Sequence, residues 1–490
     1  MINNGPIFVT HSYYLRKDPK QWKLAQPYAP LGTLLATAVL RSGGFDVHFY
    51  DCLFDEGAGR CLAALEESGA RVFVICDDGF NYLTKMCLTN MREEAFRMIS
   101  RAKEAGCAVI VSSSDSTDQF ERYLQAGADY IVMGEPEQTL LELVTRLNDP
   151  DVDPQRIPGL AFQTTGGFVR SAVRPVLRDL DLLPLPAWDL LDLQPYRSMW
   201  MKSQGYFSIN LATTRGCPFK CNWCAKPIYG NRYNSRSPEH VLAEIRLLQT
   251  LCDFSHIWFC DDIFGLKPGW VAAFSALLKK AGVKIRFKIQ SRADLLLQEN
   301  YVTALASAGC ETVWMGAESG SQAILDAMDK GITTGQIAEA TLMLRRHDIR
   351  PCFFIQFGYL GETIDDIRAT IRMIHDLLPH QIGISVSYPL PGTSFHAKVK
   401  EQLKAKANWT DSDDLALLFS NSQRPAFYKQ LHRYVHKSYR QRIGILQVRE
   451  LIRKPSAVSR TSVRRALSLF YYAPASLVAK ARLLGLMQPK

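Results

Sequence analysis

Three cysteines, Cys217, Cys221 and Cys224, stand in the run TTRGCPFKCNWCAKP with the spacing CxxxCxxC. A loop of that spacing can wrap three thiolates around one face of a cuboidal 4Fe–4S cluster and leave the fourth iron without a protein ligand. An iron left open can be chelated by a substrate or cofactor, and this gives the spacing chemical meaning. Zinc is the competing reading. A closed zinc site takes four protein ligands, usually as two CxxC-like pairs, and no second pair occurs in the chain. The other cysteines, of 12 in all, are dispersed and are expected as small core residues. The adjacent acids Asp261 and Asp262, in FCDDIF, could form a general acid–base pair or bind a hard metal. Neighbours on a strand point to opposite faces, which counts against that pairing.

The cysteine run follows FSINLAT (207–213), the first of a series of apolar, β-rich segments. Further strands are expected at 256–260, 284–290, 312–317, 351–358 and 381–387, with amphipathic helices such as PEHVLAEIRLLQTL between them. Six strand–helix units fall short of an eight-stranded barrel and fit a partial (β/α)6 TIM-like barrel over 201–400. Catalytic groups then lie at the carboxyl ends of its strands. Upstream, IFVT (7–10), DVHFYD (46–51), RVFVIC (71–76), AVIVSSS (108–114) and YIVMGE (130–135) alternate with helical patterns. Five such units predict an α/β, flavodoxin-like (Rossmann-type) doubly wound sheet over 1–147. Residues 148–200 form a connector with a hairpin at Gly166-Gly167 and a Pro-rich stretch. Residues 401–490 form a basic, aromatic, helical C-terminal region.

With the order of these segments in hand, the chain resembles the radical S-adenosylmethionine superfamily, whose signature is CxxxCxxC with an aromatic residue before the last cysteine, here Trp223. The resemblance spans roughly 200–395. It implies that the open iron binds S-adenosylmethionine, that electron transfer cleaves it to a 5′-deoxyadenosyl radical, and that an external donor such as flavodoxin or ferredoxin supplies the electron. Strand-end segments match in barrel order. FCDDIF, with Asp261 and Asp262, stands where relatives contact the methionine moiety. QSRAD places Arg292 where a cation could hold a carboxylate. GAESGS resembles the ribose-contacting segment, with Gly316, Glu318 and Ser319. FGYLGET, with Gly358 and Gly361, resembles the turn approaching the adenine, and PLPGT follows the sixth strand.

A Rossmann-type domain before such a barrel resembles the cobalamin-binding subclass, and this resemblance covers about 1–200, including GEPEQTLLEL. Many cobalamin domains ligate cobalt through the histidine of DxHxxG. In DVHFYD, Asp51 replaces the glycine and the phrase lies inside the second strand, so His48 is expected as an ordinary strand residue. The implied corrinoid pocket is then made by Leu31 and Gly32, by Ser112, Ser113 and Ser114, and by Gly134 and Glu135. The resemblance extends to methyltransferases of this subclass and to the anaerobic magnesium-protoporphyrin monomethyl ester cyclase group. It therefore implies either methylation of an unactivated carbon or oxidative chemistry on a large hydrophobic substrate. A non-catalytic iron–sulfur or zinc protein is the reading outside enzymology.

Composition limits the rest. The net charge of +10 is concentrated from Arg424 to Lys490, where 15 Lys and Arg face the single acid Glu450, leaving the body at −4. A basic aromatic tail can lie on an anionic membrane, meet an amphiphilic substrate, or pack its apolar stripe and solvate the other. No nucleic-acid module accompanies it. No apolar run reaches the roughly 20 residues of a membrane span, and the N-terminal segment has no signal-peptide pattern. A cytoplasmic enzyme acting on a small or amphiphilic molecule, with peripheral membrane contact through the tail, is the resulting expectation.

Overall fold

The computed structural model describes residues 5–81, 86, 88–147, 153–224, 228–403, 407–453 and 458–487. Cys87, the first residues of the connector, and 225–227 behind the last cysteine lie outside the described residues. The apolar runs of the front half become β1 (Ile7–Thr10), β2 (Val47–Phe49), β3 (Val72–Cys76), β4 (Ala108–Ser112) and β5 (Tyr130–Val132). They are parallel, in the order β2-β1-β3-β4-β5. This is the doubly wound order expected from the sequence. Its chain direction reverses between β1 and β3, so a crevice opens at their carboxyl ends.

The hairpin β6 (Leu160–Thr164) and β7 (Gly167–Arg170) does not belong to a free connector. It pairs antiparallel with β5 and extends the front sheet to seven strands. Pairing satisfies the open edge of β5, a long-range gain that local sequence does not reveal.

In the second half, β8 (Ser208–Leu211) is followed by the two-residue strands β9 (Thr214–Arg215) and β10 (Asn234–Ser235). Then come β11 (His256–Phe259), β12 (Phe287–Ser291), β13 (Cys310–Glu318), β14 (Arg350–Phe357) and β15 (Gln381–Val386). Strands β8 and β11–β15 are parallel neighbours in chain order, a half-barrel of six strands. Helices cross over on its convex side, where Phe259, Phe287, Ile289, Val313, Met315 and Phe353 are buried. The cysteine loop leaves the carboxyl end of β8, as expected.

The basic C-terminal region is helical over Pro425–Arg453, Arg460–Leu467 and Leu469–Leu484. Its long helix lies on the outside of the half-barrel: Tyr439 donates to the carbonyls of Pro379 and His380, at 2.6 and 2.9 Å. The front domain and the C-terminal region meet where the Thr89 amide donates to the Trp409 carbonyl at 2.9 Å and Ser412 donates to Asp18 at 2.6 Å.

One buried seam between sheet and barrel is ionic. Arg215, beside the cysteines, is buried against Glu137 and Glu135 at the start of the helix after β5, at 2.5 and 3.3 Å. Two carboxylates satisfy a guanidinium that would be costly to bury alone. Replacement of Glu137 by Leu should lower stability by about 3 kcal/mol, seen as a lower thermal unfolding midpoint. An unchanged midpoint would show that the pair adds nothing to docking.

Candidate active site at the cysteine loop

The loop that carries the cysteines is held at its entry, its base and its tip. At the entry, Asp261 is buried after β11 and accepts from the Thr213 and Thr214 amides, at 2.7 and 2.8 Å, and from the Thr213 hydroxyl at 2.6 Å. Burial pushes its carboxyl up to about 6, while those hydrogen bonds pull the other way. Asp261 was expected to contact S-adenosylmethionine; its oxygens are instead committed to the loop entry. Asp262 is exposed beside it, so the two acids do not form a pair.

At the base, β9 pairs antiparallel with β10, which brings the two ends of the cysteine lobe together. Gly216 adopts φ +77 there, and a Cβ on it would stand 2.2 Å from the Arg232 carbonyl oxygen. Only glycine fits immediately before the first cysteine. At the tip, Asn222 sits between Cys221 and Trp223 and is buried. Its amide nitrogen donates to the Ala327 carbonyl and the Asp329 carboxylate, at 2.7 and 2.8 Å. Its side-chain oxygen accepts from Tyr359 at 2.7 Å, and its backbone carbonyl accepts from the Phe395 amide at 3.0 Å. One residue thus ties the tip to the loops after β13, β14 and β15. The sequence reading missed Asn222, because all its partners are remote in the chain.

Arg292 also serves the loop. It pairs with Asp294 at 3.0 Å, donates to the Lys330 carbonyl at 2.9 Å, and lies 3.7 Å over the ring of Phe219, between the first two cysteines. Beyond it, Glu318 and Lys330 form a buried pair at 2.8 Å. Burial lowers the Lys330 ammonium, but Glu318 and Cys221 more than offset this and leave it raised. Glu318 holds φ +57 at a register shift in β13, a strained conformation for a residue with a side chain. Gly316 leaves room for the pair, since a Cβ there would stand 2.6 Å from the Lys330 Nζ. Lys330 lies 5.9 Å from the Trp223 ring, whose buried indole nitrogen has no partner among the described residues.

The remaining expected ligand groups divide. Ser319 bonds Thr370 at 3.1 Å and is fully buried, so it docks a helix and does not reach a ribose. Gly358 donates its amide to Glu362 at 2.6 Å under the ring of Tyr428. Burial raises Glu362 to about 8. Gly361, at φ +79, faces open space.

On the front sheet, His48 is an exposed residue of the edge strand β2, as expected. The histidine at the end of β1 is His11, which the sequence reading did not consider. It is buried, bonds Asp51 at 2.9 Å, and receives the Tyr13 amide at 3.3 Å, so both ring nitrogens are engaged. Gly32 donates to Asp78 at 3.0 Å, and Glu135 is committed to Arg215 and the Leu177 amide. Ser112 ends β4, Ser113 caps the next helix, and the buried hydroxyl of Ser114 has no partner among the described residues. Gly134 takes φ +79, with its Cβ direction 3.8 Å from the Ile228 carbonyl. Leu31 lines a cleft shared by Phe80, Leu183, Thr214 and Arg215 between sheet and barrel.

These residues fit the groups that the resemblance implies. None of the described cysteines is in a disulfide. Three thiols on one held loop, with no second cysteine pair in the chain, suit a cluster with one open iron better than a closed zinc site. The orphaned Trp223 nitrogen and the Glu318–Lys330 pair offer a donor and both charges to a zwitterionic cofactor beside Cys221. For a corrinoid, the orphaned Ser114 hydroxyl and the Leu31 cleft lie at the strand ends facing the cysteine loop.

Two substitutions separate holding the cluster from holding the fold. Gly216→Ala and Asn222→Ala should each lower iron and sulfide per chain several-fold after anaerobic reconstitution, with the far-ultraviolet circular dichroism unchanged. Full cluster loading in both would show that the clamps are dispensable.

Comparison with known proteins agrees with this geometry. Residues 211–374 match the family model described as the radical SAM superfamily. An uncharacterized methyltransferase of Pyrococcus horikoshii is 28% identical over 70% of this chain and 74% of its own. The anaerobic magnesium-protoporphyrin IX monomethyl ester cyclase of Rubrivivax gelatinosus is 26% identical over 56% of this chain, which spans only 50% of that relative. Among solved structures, the cobalamin-dependent S-adenosylmethionine radical enzyme OxsB, with aqua-cobalamin bound, superposes with a TM-score of 0.76 over 97% of this chain and 72% of its own, at 15% identity. That last likeness establishes fold. Residues 211–374 form a radical SAM domain, and the chain as a whole has the fold of the cobalamin-dependent S-adenosylmethionine radical enzyme OxsB.

Proposed function

We propose that the protein is a cobalamin-dependent radical S-adenosylmethionine enzyme that methylates an unactivated carbon. The observation that carries this reading is the docking of the front sheet onto the cysteine loop through Arg215, Glu135 and Glu137. When bound, the cluster with S-adenosylmethionine supplies a 5′-deoxyadenosyl radical that removes hydrogen from the acceptor carbon, and methylcobalamin supplies the methyl group. Cys217, Cys221 and Cys224 would hold the cluster, while Asp261, Asn222 and Arg292 fix their loop. Trp223, Glu318 and Lys330 would meet the cofactor at the open iron. Ser112, Ser113 and Ser114, with Leu31 and Gly134, would line the corrinoid side. His11 is engaged through both nitrogens and so is not among the residues that would hold a corrinoid.

The likeness to a cyclase of R. gelatinosus favours one alternative with the same cofactors, oxidative cyclisation of a large hydrophobic substrate. An external donor such as flavodoxin or ferredoxin would reduce the cluster in either case.

We further propose a cytoplasmic protein that touches an anionic membrane through its tail. No helix among the described residues is long and apolar enough to cross a membrane. The last helix buries Ser476, Ala479 and Leu483 on one side. Its other side leaves Phe470 82% and Leu477 66% exposed, with Val478 and Leu484, among basic neighbours Arg464, Arg465, Lys480 and Arg482. A surface helix normally carries one apolar stripe; a second one framed by cations suits a lipid surface.

Reconstituted protein given cobalamin, reductant and S-adenosylmethionine with a deuterated methyl group should form CD3-labelled methylcobalamin and 5′-deoxyadenosine. No label on the corrinoid, in protein holding cluster and cobalt, would exclude methylation and leave the oxidative reading. Vesicles of phosphatidylglycerol should sediment with the protein at low salt and release it as salt rises, whereas phosphatidylcholine vesicles should not. Replacing Phe470 and Leu477 by Ser should abolish sedimentation; unchanged binding would refute the tail contact.

A further inference from the structure

The half-barrel has a second face that the loop residues do not use. Along β11–β15, the residues turned to the helices are buried, while Trp258, Lys288, Gln290, Thr312, Trp314, Phe354 and Ser385 on the concave side keep partial exposure. Alternating exposure in a parallel sheet, whose two faces are normally both covered, marks an open lumen.

Two features of this lumen are unusual together. The first is a flat aromatic floor. Trp314 and Phe354 stack with centroids 4.7 Å apart and planes 24° from parallel. Gly383 on β15 lies under both rings, and a Cβ there would stand 3.3 Å from each. The absent side chain lets the rings lie flat, and Phe354 remains 36% exposed. The second is a solitary cation. Lys288 has no ion-pair or hydrogen-bond partner among the described residues. Its Nζ stands 5.3 Å from the ring centroids of both Tyr28 and Trp258. Tyr28 comes from the front domain and packs on Trp258 at 4.5 Å, so both domains build this corner.

Register places the two features in one chamber. Lys288 pairs across to Thr312, and Gln290 to Trp314. Lys288, on β12, stands four residues before Arg292, which follows the strand's last residue, so it lies roughly 13 Å down the lumen from the cysteine loop at ~3.3 Å per residue. A molecule held at Lys288 and lying over the aromatic floor would therefore reach towards the loop. Burial pushes the Lys288 ammonium down to about 8. A cation without a counter-charge in such a place is costly, and an incoming anion would relieve that cost.

We infer that the lumen binds an anionic amphiphile, with its negative group on Lys288 and its planar or polycyclic body on Trp314 and Phe354. This rests on the reading of the chain as a radical enzyme acting in that lumen, and it names the chemical class of the substrate.

The test uses two probes with one body. 8-Anilinonaphthalene-1-sulfonate carries a sulfonate, and N-phenyl-1-naphthylamine is the same skeleton without it. Binding to the full chain is followed by energy transfer from tryptophan, and iron content is measured as a check on folding. Lys288→Met should weaken the sulfonate probe about tenfold and leave the neutral probe unchanged, whereas Lys288→Arg should restore the sulfonate. Phe354→Ala should weaken both probes. Sulfonate affinity unchanged in Lys288→Met, or both probes lost equally there, would overturn the anion site; both probes unchanged in Phe354→Ala would overturn the floor. Probe binding is independent of turnover. A wild-type protein that binds the probes as expected but labels no methylcobalamin would refute the methylation reading and leave the lumen site standing.

Discussion

The buried pairing of Arg215 with Glu137 and Glu135 is the contact on which the rest of the molecule turns. Arg215 ends the two-residue strand that opens the cysteine lobe, and its partners begin the helix after β5. Its guanidinium also lies 5.2 Å from the ring centroid of Tyr229 and 5.7 Å from that of Phe80, one from each domain. Three buried charges are tolerable only when all are placed together, so neither domain can shift without exposing a penalty. The cysteine lobe and the carboxyl ends of the front sheet are thereby fixed face to face.

Within the lobe, polar side chains do the work that regular structure cannot. A loop around a cluster has few backbone partners of its own, and its groups must be satisfied from elsewhere. Asp261 supplies acceptors at the entry, and Asn222 supplies both a donor and an acceptor at the tip. Arg292 stacks under Phe219 between the cysteines. The left-handed backbone at Glu318 is a local cost that places its carboxylate on Lys330 beside Trp223. Strain held by a packed surrounding is expected where geometry matters to chemistry.

Much of this was legible in the residue order. Apolar, β-rich runs marked all eleven parallel strands, and FSINLAT preceding CxxxCxxC put the cysteines at a strand end. The roles of Asp261, Ser319 and Glu135 were not legible. Each was expected at a cofactor, yet each is spent on a distant backbone or side chain that only the fold brings near. The hairpin at Gly166-Gly167 was recognised as a hairpin, but its pairing with β5 depends on an edge the local sequence does not show. Asn222 and His11 escaped notice for the same reason: a single polar residue has meaning only through partners tens to hundreds of positions away.

Cys217, Cys221 and Cys224 are proposed to hold a cluster with one iron open to S-adenosylmethionine. Mössbauer spectroscopy of the anaerobically reconstituted full chain, with and without S-adenosylmethionine, tests it most directly. One 4Fe–4S cluster per chain is expected, with a single iron site whose isomer shift moves when S-adenosylmethionine is added. A spectrum indifferent to S-adenosylmethionine, or a chain that takes up zinc in place of iron, would contradict it.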